Sequence, residues 1–410
     1  LLSFLVITLI AGGYPALLLS KLGTVQALKG KLESSGKNRL RNVLMVVQFG
    51  IAILLISGTL VVWNQLQFMR NKDLGFNKEQ VISFPLNGKT ENFMQLFRNE
   101  LRGKPGILSV TAADDVLGLG EDGRVNTHQW GFYYEGHPVM TNHLIVDYDY
   151  VETLDLELVA GRSFSRKFAT DSFAVLINEA MAKELREEKP LNAQIEDDTL
   201  YSVIGVLKNY NFQNLNKTVA PITIFLNKSP AQLEYAYVKV APQNLGKSFD
   251  LVKNAWEKIE PNVAFRGSFL DENITRTFQR EKTMATIITS GSIIAIVLSC
   301  IGLFAISLLI VAQRTKEIGI RKIVGASVSS ITFLLVKDFL KLVGIAFLIA
   351  APIAYWLLKN WLQGYAYRID LNAWFFIIAG FLAVCIALAT MSVKTIKAAL
   401  QNPVKSLKTE

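Results

Sequence analysis

The chain has 410 residues, of which 51% are hydrophobic and 19% charged, with a formal net charge of +9 and a mean hydropathy of +0.30. An ordinary water-soluble enzyme is excluded, because the apolar residues gather into uncharged blocks of membrane-crossing length. Nucleic acid is excluded as the meaning of the positive charge, because the basic residues flank those blocks, where anionic lipid is the ordinary partner.

In chain order, residues 1–20 (Leu1–Ser20) form an uncharged block followed by basic residues. A signal peptide has its basic residues first, so this block reads as a transmembrane helix ending a preceding half. Residues 21–42 are a basic cytoplasmic linker with six basic residues against Glu33. Residues 43–69 predict a second span. Residues 70–282 are the large domain, with 25 basic and 29 acidic residues. Residues 283–313 carry no charge and would rise about 46 Å as one helix. The polar stretch Asp271–Lys282 predicts a stalk continuous with it. Residues 314–330 form a short loop with four basic residues against Glu317. Residues 339–358 predict a span with Lys341 reaching the interface, residues 371–393 a further span, and residues 394–410 a basic tail. The positive-inside rule places the three short basic segments in the cytoplasm and the large domain outside.

Within the large domain, strand and helix signals alternate. Gln80–Leu86, Thr90–Arg102 and Ile107–Ala113 read as strand, helix and strand; so do Tyr235–Val240, Ser248–Ile259 and Val263–Leu270. Between these βαβ-like units lie strand signals at Val125–Tyr134, Val139–Val146, Phe173–Ile177, Tyr201–Val206 and Ile222–Leu226, and a helix over Glu179–Glu188. The expected fold class is an α-helical membrane domain, four spans plus one preceding span, with a large α+β extracytoplasmic domain containing βαβ-like units. The only cysteines, Cys300 and Cys385, fall in spans, so the domain is held by its apolar core. Val25-Gln26-Ala27-Leu28-Lys29 and Val404-Lys405-Ser406-Leu407-Lys408 each follow an apolar block, a faint repeat that fits a duplicated unit.

The most informative segment is Gln313-Arg314-Thr315-Lys316-Glu317-Ile318-Gly319-Ile320-Arg321-Lys322-Ile323-Val324-Gly325-Ala326-Ser327. Its isoleucines alternate with basic residues, as suits a short helix lying along an interface. This R-x-K-E-I-G-I-R-K-x-x-G-A-S pattern resembles the signature of the FtsX-like permeases of ABC transporters. Asn71-Lys72-Asp73-Leu74-Gly75-Phe76, Gly161-Arg162-Ser163-Phe164, Ile177-Asn178-Glu179-Ala180, Val203-Ile204-Gly205-Val206, Asn209-Tyr210-Asn211-Phe212 and Asn402-Pro403-Val404 are similar to stretches of the MacB-type periplasmic core domain and its permease. The resemblance covers about residues 40 to 410 and identifies the chain as similar to the C-terminal half of a duplicated permease. Lys405 departs from the familiar tail, which usually carries an acidic or polar residue there.

The resemblance implies a permease of the inner, cytoplasmic membrane that is not itself an enzyme and binds no cofactor. ATP and magnesium would be used by a separate cytoplasmic ABC ATPase. The absence of G-x-x-x-x-G-K-[ST] agrees with that expectation. Carried over by position, Arg314, Lys316, Glu317, Ile318, Gly319, Arg321, Lys322 and Gly325 would contact or support that partner. The remaining partners expected are a second permease half or a homodimer, membrane lipid, and a periplasmic or outer-membrane component. The implied function is mechanical coupling of ATP hydrolysis to the outer domain, for efflux or extraction of a lipoprotein, peptide or amphiphilic drug. The alternative is a non-transporting regulator of a periplasmic cell-wall hydrolase, as in the cell-division branch of the family. In the spans, Gly291, Ala295 and Ser299, and Ala379, Ala383 and Ala387, repeat every four residues, the pattern of close helix packing. His128, His137 and His143 lack the spacing of a common zinc site, so no metal is expected. The acidic pairs Asp114-Asp115 and Glu121-Asp122, and the run Glu196-Asp197-Asp198, read as solvated turns.

Overall fold

The computed structural model describes residues 35–86, 92–125, 128–196, 199–213, 215, 217–313 and 315–400. The expected helix over residues 1–20, most of the basic linker and the end of the tail lie outside these residues. Two compact units are present. One comprises Ser57–Gly291 and Ala354–Phe375; the other comprises the described parts of 1–56, Ser292–Ile353 and the described part of 376–410.

The first unit is organised by a sheet. Its frame begins with β1 (Val81–Pro85), α1 (Phe93–Leu101) and β2 (Ile107–Ala113), and closes with β10 (Tyr235–Val240), α2 (Leu245–Ile259) and β11 (Ser268–Phe269). Strand β10 is antiparallel to both β1 and β2, so β1 and β2 run parallel with β10 between them. Likewise β10 and β11 are parallel with β1 between them. The two βαβ units read from the sequence are therefore split and interlocked, the arrangement of a ferredoxin-like frame. Strand β1 is buried along its whole length, which is why it reads as a continuous apolar run rather than an alternating one. One of its faces meets the two helices, where Phe84 lies 5.2 Å from Phe97 and 5.4 Å from Trp256 between ring centroids. Rings at this spacing contribute about 0.5–1.5 kcal/mol per pair beyond the area they bury.

Between β2 and β10 an inserted lobe continues the sheet. It contains β3 (Gln129–Tyr134), β4 (His137–Val146), β5 (Leu158–Gly161), β6 (Ala174–Asn178), α3 (Glu179–Glu184), β7 (Gln194–Glu196), β8 (Leu200–Leu207) and β9 (Ile222–Leu226). The strand order is β11-β1-β10-β2-β4-β9-β6-β8-β5, with β3 on β4 and β7 on β8. The short strands β5 and β7 have no counterpart in the sequence reading; each pairs only with β8, and a short edge strand carries little apolar pattern. Helix α3 stops at Glu184, earlier than the expected Glu188, because Arg186 takes a left-handed φ of 61°. The expected strand Val263–Leu270 contracts to Ser268–Phe269. Asp114 and Asp115 are buried, not solvated as expected.

The apolar runs form long helices: α4 (Ser35–Asn71), α5 (Gln279–Gln313), α6 (Val328–Leu362) and α7 (Trp374–Leu400). Four stretches among the described residues are long and apolar enough to cross a membrane: Arg41–Asn71, Gln279–Leu308, Val336–Leu362 and Trp374–Ser392. Helix α4 starts at Ser35, inside the expected linker, since Lys37, Arg39, Leu40 and Arg41 favour helix and no proline separates them from the span. The expected continuous stalk is broken. A short helix, Leu270–Thr277, ends at Phe278, which is buried with Leu270 and Ile274 in the domain core. The Thr277 hydroxyl donates to Ile274 O at 2.6 Å, supporting a turn at that point.

Candidate coupling site

The segment expected over residues 314–330 as a cytoplasmic loop with a short helix along the interface is, from residue 315 on, a helical hairpin. A short helix, α8 (Thr315–Ile323), is followed by a turn and then by α6. The turn is a Schellman closure: Ala326 N donates to Arg321 O at 2.9 Å and Gly325 N to Lys322 O at 3.2 Å. Gly325 supplies the φ of +92° that this closure needs, a conformation costly for any residue with a Cβ. Ser327 then caps the next helix, its hydroxyl accepting from Ser330 N at 3.2 Å.

The hairpin is pinned by apolar contact. Ile318 and Ile331 are buried together, with Ala326 and Val328 packed against them. On α8 the Glu317 carboxylate pairs with Arg321 at 2.9 Å across one helical turn, a contact worth only a few tenths of a kcal/mol at an exposed site. Ile320, Ile323 and Val324 stay 54%, 61% and 81% exposed. One side of α8 is thus anchored, and another presents apolar side chains beside Arg321. Lys322 is partly buried and engaged in a further interaction. Arg314 lies outside the described residues; Lys316 and Gly319 lie on the helix, and only their backbone is described. Sequence reasoning missed Ile331, which anchors α8 through Ile318, and quoted Ser327 only as part of the motif, without its role in capping α6. The signal available for Ser327 was a serine immediately before an apolar run.

The packing residues divide. Ala379, Ala383 and Ala387 are all buried, on one line of α7. On α5, Ser299 is buried but Gly291 and Ala295 are only partly so; the buried line runs through Ser292, Ser299, Leu303 and Ser307. That seam is read poorly from small residues alone because serine is both small and a self-satisfying donor. The Ser299 hydroxyl donates to Ala295 O at 2.8 Å.

The motifs in the outer domain meet one another in pairs. Arg162 N donates to Ile204 O at 3.0 Å, and a Cβ on Gly205 would lie 2.4 Å from Arg162 O, so the Gly161 and Gly205 motifs are one backbone crossing. Arg162 also clamps the buried Asp171 with two bonds of 2.8 and 2.6 Å. The Leu74-Gly75 turn receives a bond of 2.7 Å from Asn211 N to Leu74 O. Glu179 accepts from Asn209 N at 2.9 Å, and Asn209 Oδ1 accepts from Ala180 N at 3.0 Å. Each of these stretches thus fixes the path of another. Among the described residues no three histidine, cysteine or carboxylate side chains converge as a metal site.

Residues 51–249 match the MacB-like periplasmic core domain and residues 289–403 the C-terminal region of FtsX-like permeases. The chain carries both modules of the MacB-type FtsX-like permeases. This permease is 29% identical over 201 residues to the macrolide export ATP-binding/permease protein MacB of Haemophilus ducreyi, covering 46% of the chain and 28% of MacB. It is 25% identical over 278 residues to an uncharacterized ABC transporter permease, YknZ, of Bacillus subtilis, covering 65% of the chain and 67% of YknZ. The periplasmic region of MacB from Actinobacillus actinomycetemcomitans aligns with a TM-score of 0.37 at 14% identity, covering 51% of the chain and 97% of that region. The permease is a multi-pass membrane protein, with four candidate spans among the described residues and a large mixed α/β extracytoplasmic domain.

Proposed function

We propose that the chain is the permease subunit of an ABC complex in the cytoplasmic membrane, in which a separate cytoplasmic ATPase engages α8 and drives the extracytoplasmic domain. The observation that carries this reading is α8 itself: an anchored helix that leaves Ile320, Ile323 and Val324 exposed beside Arg321. Apolar side chains at the centre of a patch with charge at its rim are the ordinary composition of a protein–protein contact. ATP and magnesium belong to the partner. Helix α5 is unbroken from Gln279 to Gln313, which supports rigid-body transmission of the partner's closure. A second copy of the chain, or a second permease half, would complete the unit. The work performed is export or extraction of an envelope substrate such as a lipoprotein, peptide or amphiphilic drug.

The test is the double variant Arg321→Glu with Lys322→Glu. The permease should still insert in the membrane, and its stimulation of the partner's ATP hydrolysis should fall at least about tenfold, as expected when a charged rim is reversed. Unchanged stimulation would remove the basis for this assignment.

A further inference from the structure

Where the ferredoxin-like frame meets the inserted lobe, β2 and β4 are joined by one residue bridge, Ala113 with Val146. Flanking it, Asp114 N donates to Ile145 O and Asp147 N to Ala112 O, both at 2.9 Å. The Asp114 side chain completes the junction, its Oδ1 accepting from Ile145 N at 2.9 Å. Its Oδ2 lies 3.9 Å from His128 Nδ1 and 3.8 Å from His143 Nδ1. Asp115 adds a second carboxyl. Its Oδ1 accepts from Val116 N at 2.7 Å, and its Oδ2 lies 3.7 Å from His128 Nδ1. Both aspartate side chains are at least nine-tenths buried, whereas His128 is 55% exposed. The imidazoles thus connect a buried acid pair to solvent. Tyr237 of β10 and Tyr150 also face the pair, and burial holds both phenols well above their usual range, so they remain neutral.

We propose that Asp114, Asp115, His128 and His143 form a proton-operated latch that seats β4 on β2, closed while the cluster holds a proton and loosened when that proton leaves. Two adjacent buried carboxyls resist carrying two charges, because each is desolvated and each repels the other. Burial is the main cause that pushes the Asp114 carboxyl up to about 7; the Ile145 hydrogen bond opposes the shift, Asp115 adds to it, and His128 opposes it. A carboxyl whose folded pKa lies above its unfolded value stabilises the fold at low pH. That contribution is lost as pH rises through the folded value. The latch therefore closes on acidification of the outer compartment, the reverse of ordinary acid loosening.

Hydrogen exchange of the full chain in detergent micelles, followed from pH 5.5 to 8.5 and corrected for the intrinsic exchange rate, reads the junction through the Ile145 amide. As pH rises, protection should fall about tenfold for each pH unit below a midpoint near 7 and level off above it, the linkage of one proton held by the closed state alone. Asp114→Asn keeps an oxygen acceptor but cannot ionise, and should give protection independent of pH. His128→Gln should move the midpoint up and Asp115→Asn should move it down. Wild-type protection that is flat with pH overturns the latch, as does a midpoint that neither His128→Gln nor Asp115→Asn moves. Both readouts stand even where Asp114→Asn does not fold.

Discussion

Asp171 shows how one side chain organises a stretch of backbone. It is fully buried, clamped by both Arg162 nitrogens, and accepts from Ser165 N at 2.8 Å. Burial alone would raise its pKa, but the Arg162 and Ser165 hydrogen bonds outweigh it and hold the carboxyl below its usual value. A depressed carboxylate stabilises the fold above its unfolded pKa and loses that contribution as pH falls through the folded one. Asp171→Ala should cost about 2 kcal/mol, the range for charge-assisted bonds to a partly exposed partner. It should also flatten the acid limb of stability below about pH 4, the unperturbed aspartate range. Denaturant titration of the detergent-solubilised chain across pH would show both effects. Gly205 makes the complementary point, since any Cβ there collides with the Arg162 carbonyl oxygen.

Among elements, α2 is held chiefly by Trp256. Its ring is buried against Phe84 and Phe93, and its Nε1 donates to Val263 O at 2.8 Å. Trp256→Ala leaves a cavity and strands that carbonyl, so a loss of about 3–5 kcal/mol is expected in thermal or denaturant unfolding. The hairpin at α8 depends on its turn instead. Gly325→Ala places a Cβ in the left-handed region at a cost of about 1 kcal/mol. Nothing lies within 4 Å of that Cβ position, so the penalty is conformational rather than steric. The expected signature is faster hydrogen exchange at Gly325 and Ala326, with partner-stimulated ATPase reduced in proportion and the outer domain unaffected.

At the scale of the molecule, the loop after α6 belongs to the same unit as the outer domain. Gln65 fixes it twice: its Nε2 donates to Tyr367 O at 2.8 Å, and its Oε1 accepts from Ile369 N at 2.9 Å. Lys72 sits 4.1 Å over the Tyr367 ring, and Tyr365 is buried in the domain core. One buried amide thus ties an outer loop to α4. Gln65→Ala should release it, raising hydrogen exchange at Ile369 about tenfold, in keeping with the roughly 1–1.5 kcal/mol of a lost hydrogen bond. Melting of the domain core should change little. Equal exchange in the two proteins would show that the aromatic contacts alone hold the loop.

The sequence by itself determined the membrane spans, the outward domain and the frame's helices, because each rests on local quantities: uncharged length, charge asymmetry and the 3.6-residue repeat of Phe93, Phe97 and Leu101. It also singled out the segment proposed as the coupling site, through the order of its charges. Only the tertiary structure decided how the two βαβ units interlock, because strand order depends on contacts more than a hundred residues apart, as between β1 and β10. The same holds for the break at Phe278, where burial overrides a helix-compatible sequence. Asp114 and Asp115 make the contrast sharpest. As text they are two acids before a turn, and solvation is the ordinary expectation. Their environment is set by β4, Tyr237 and two histidines brought in from elsewhere in the chain, and no local pattern encodes that meeting.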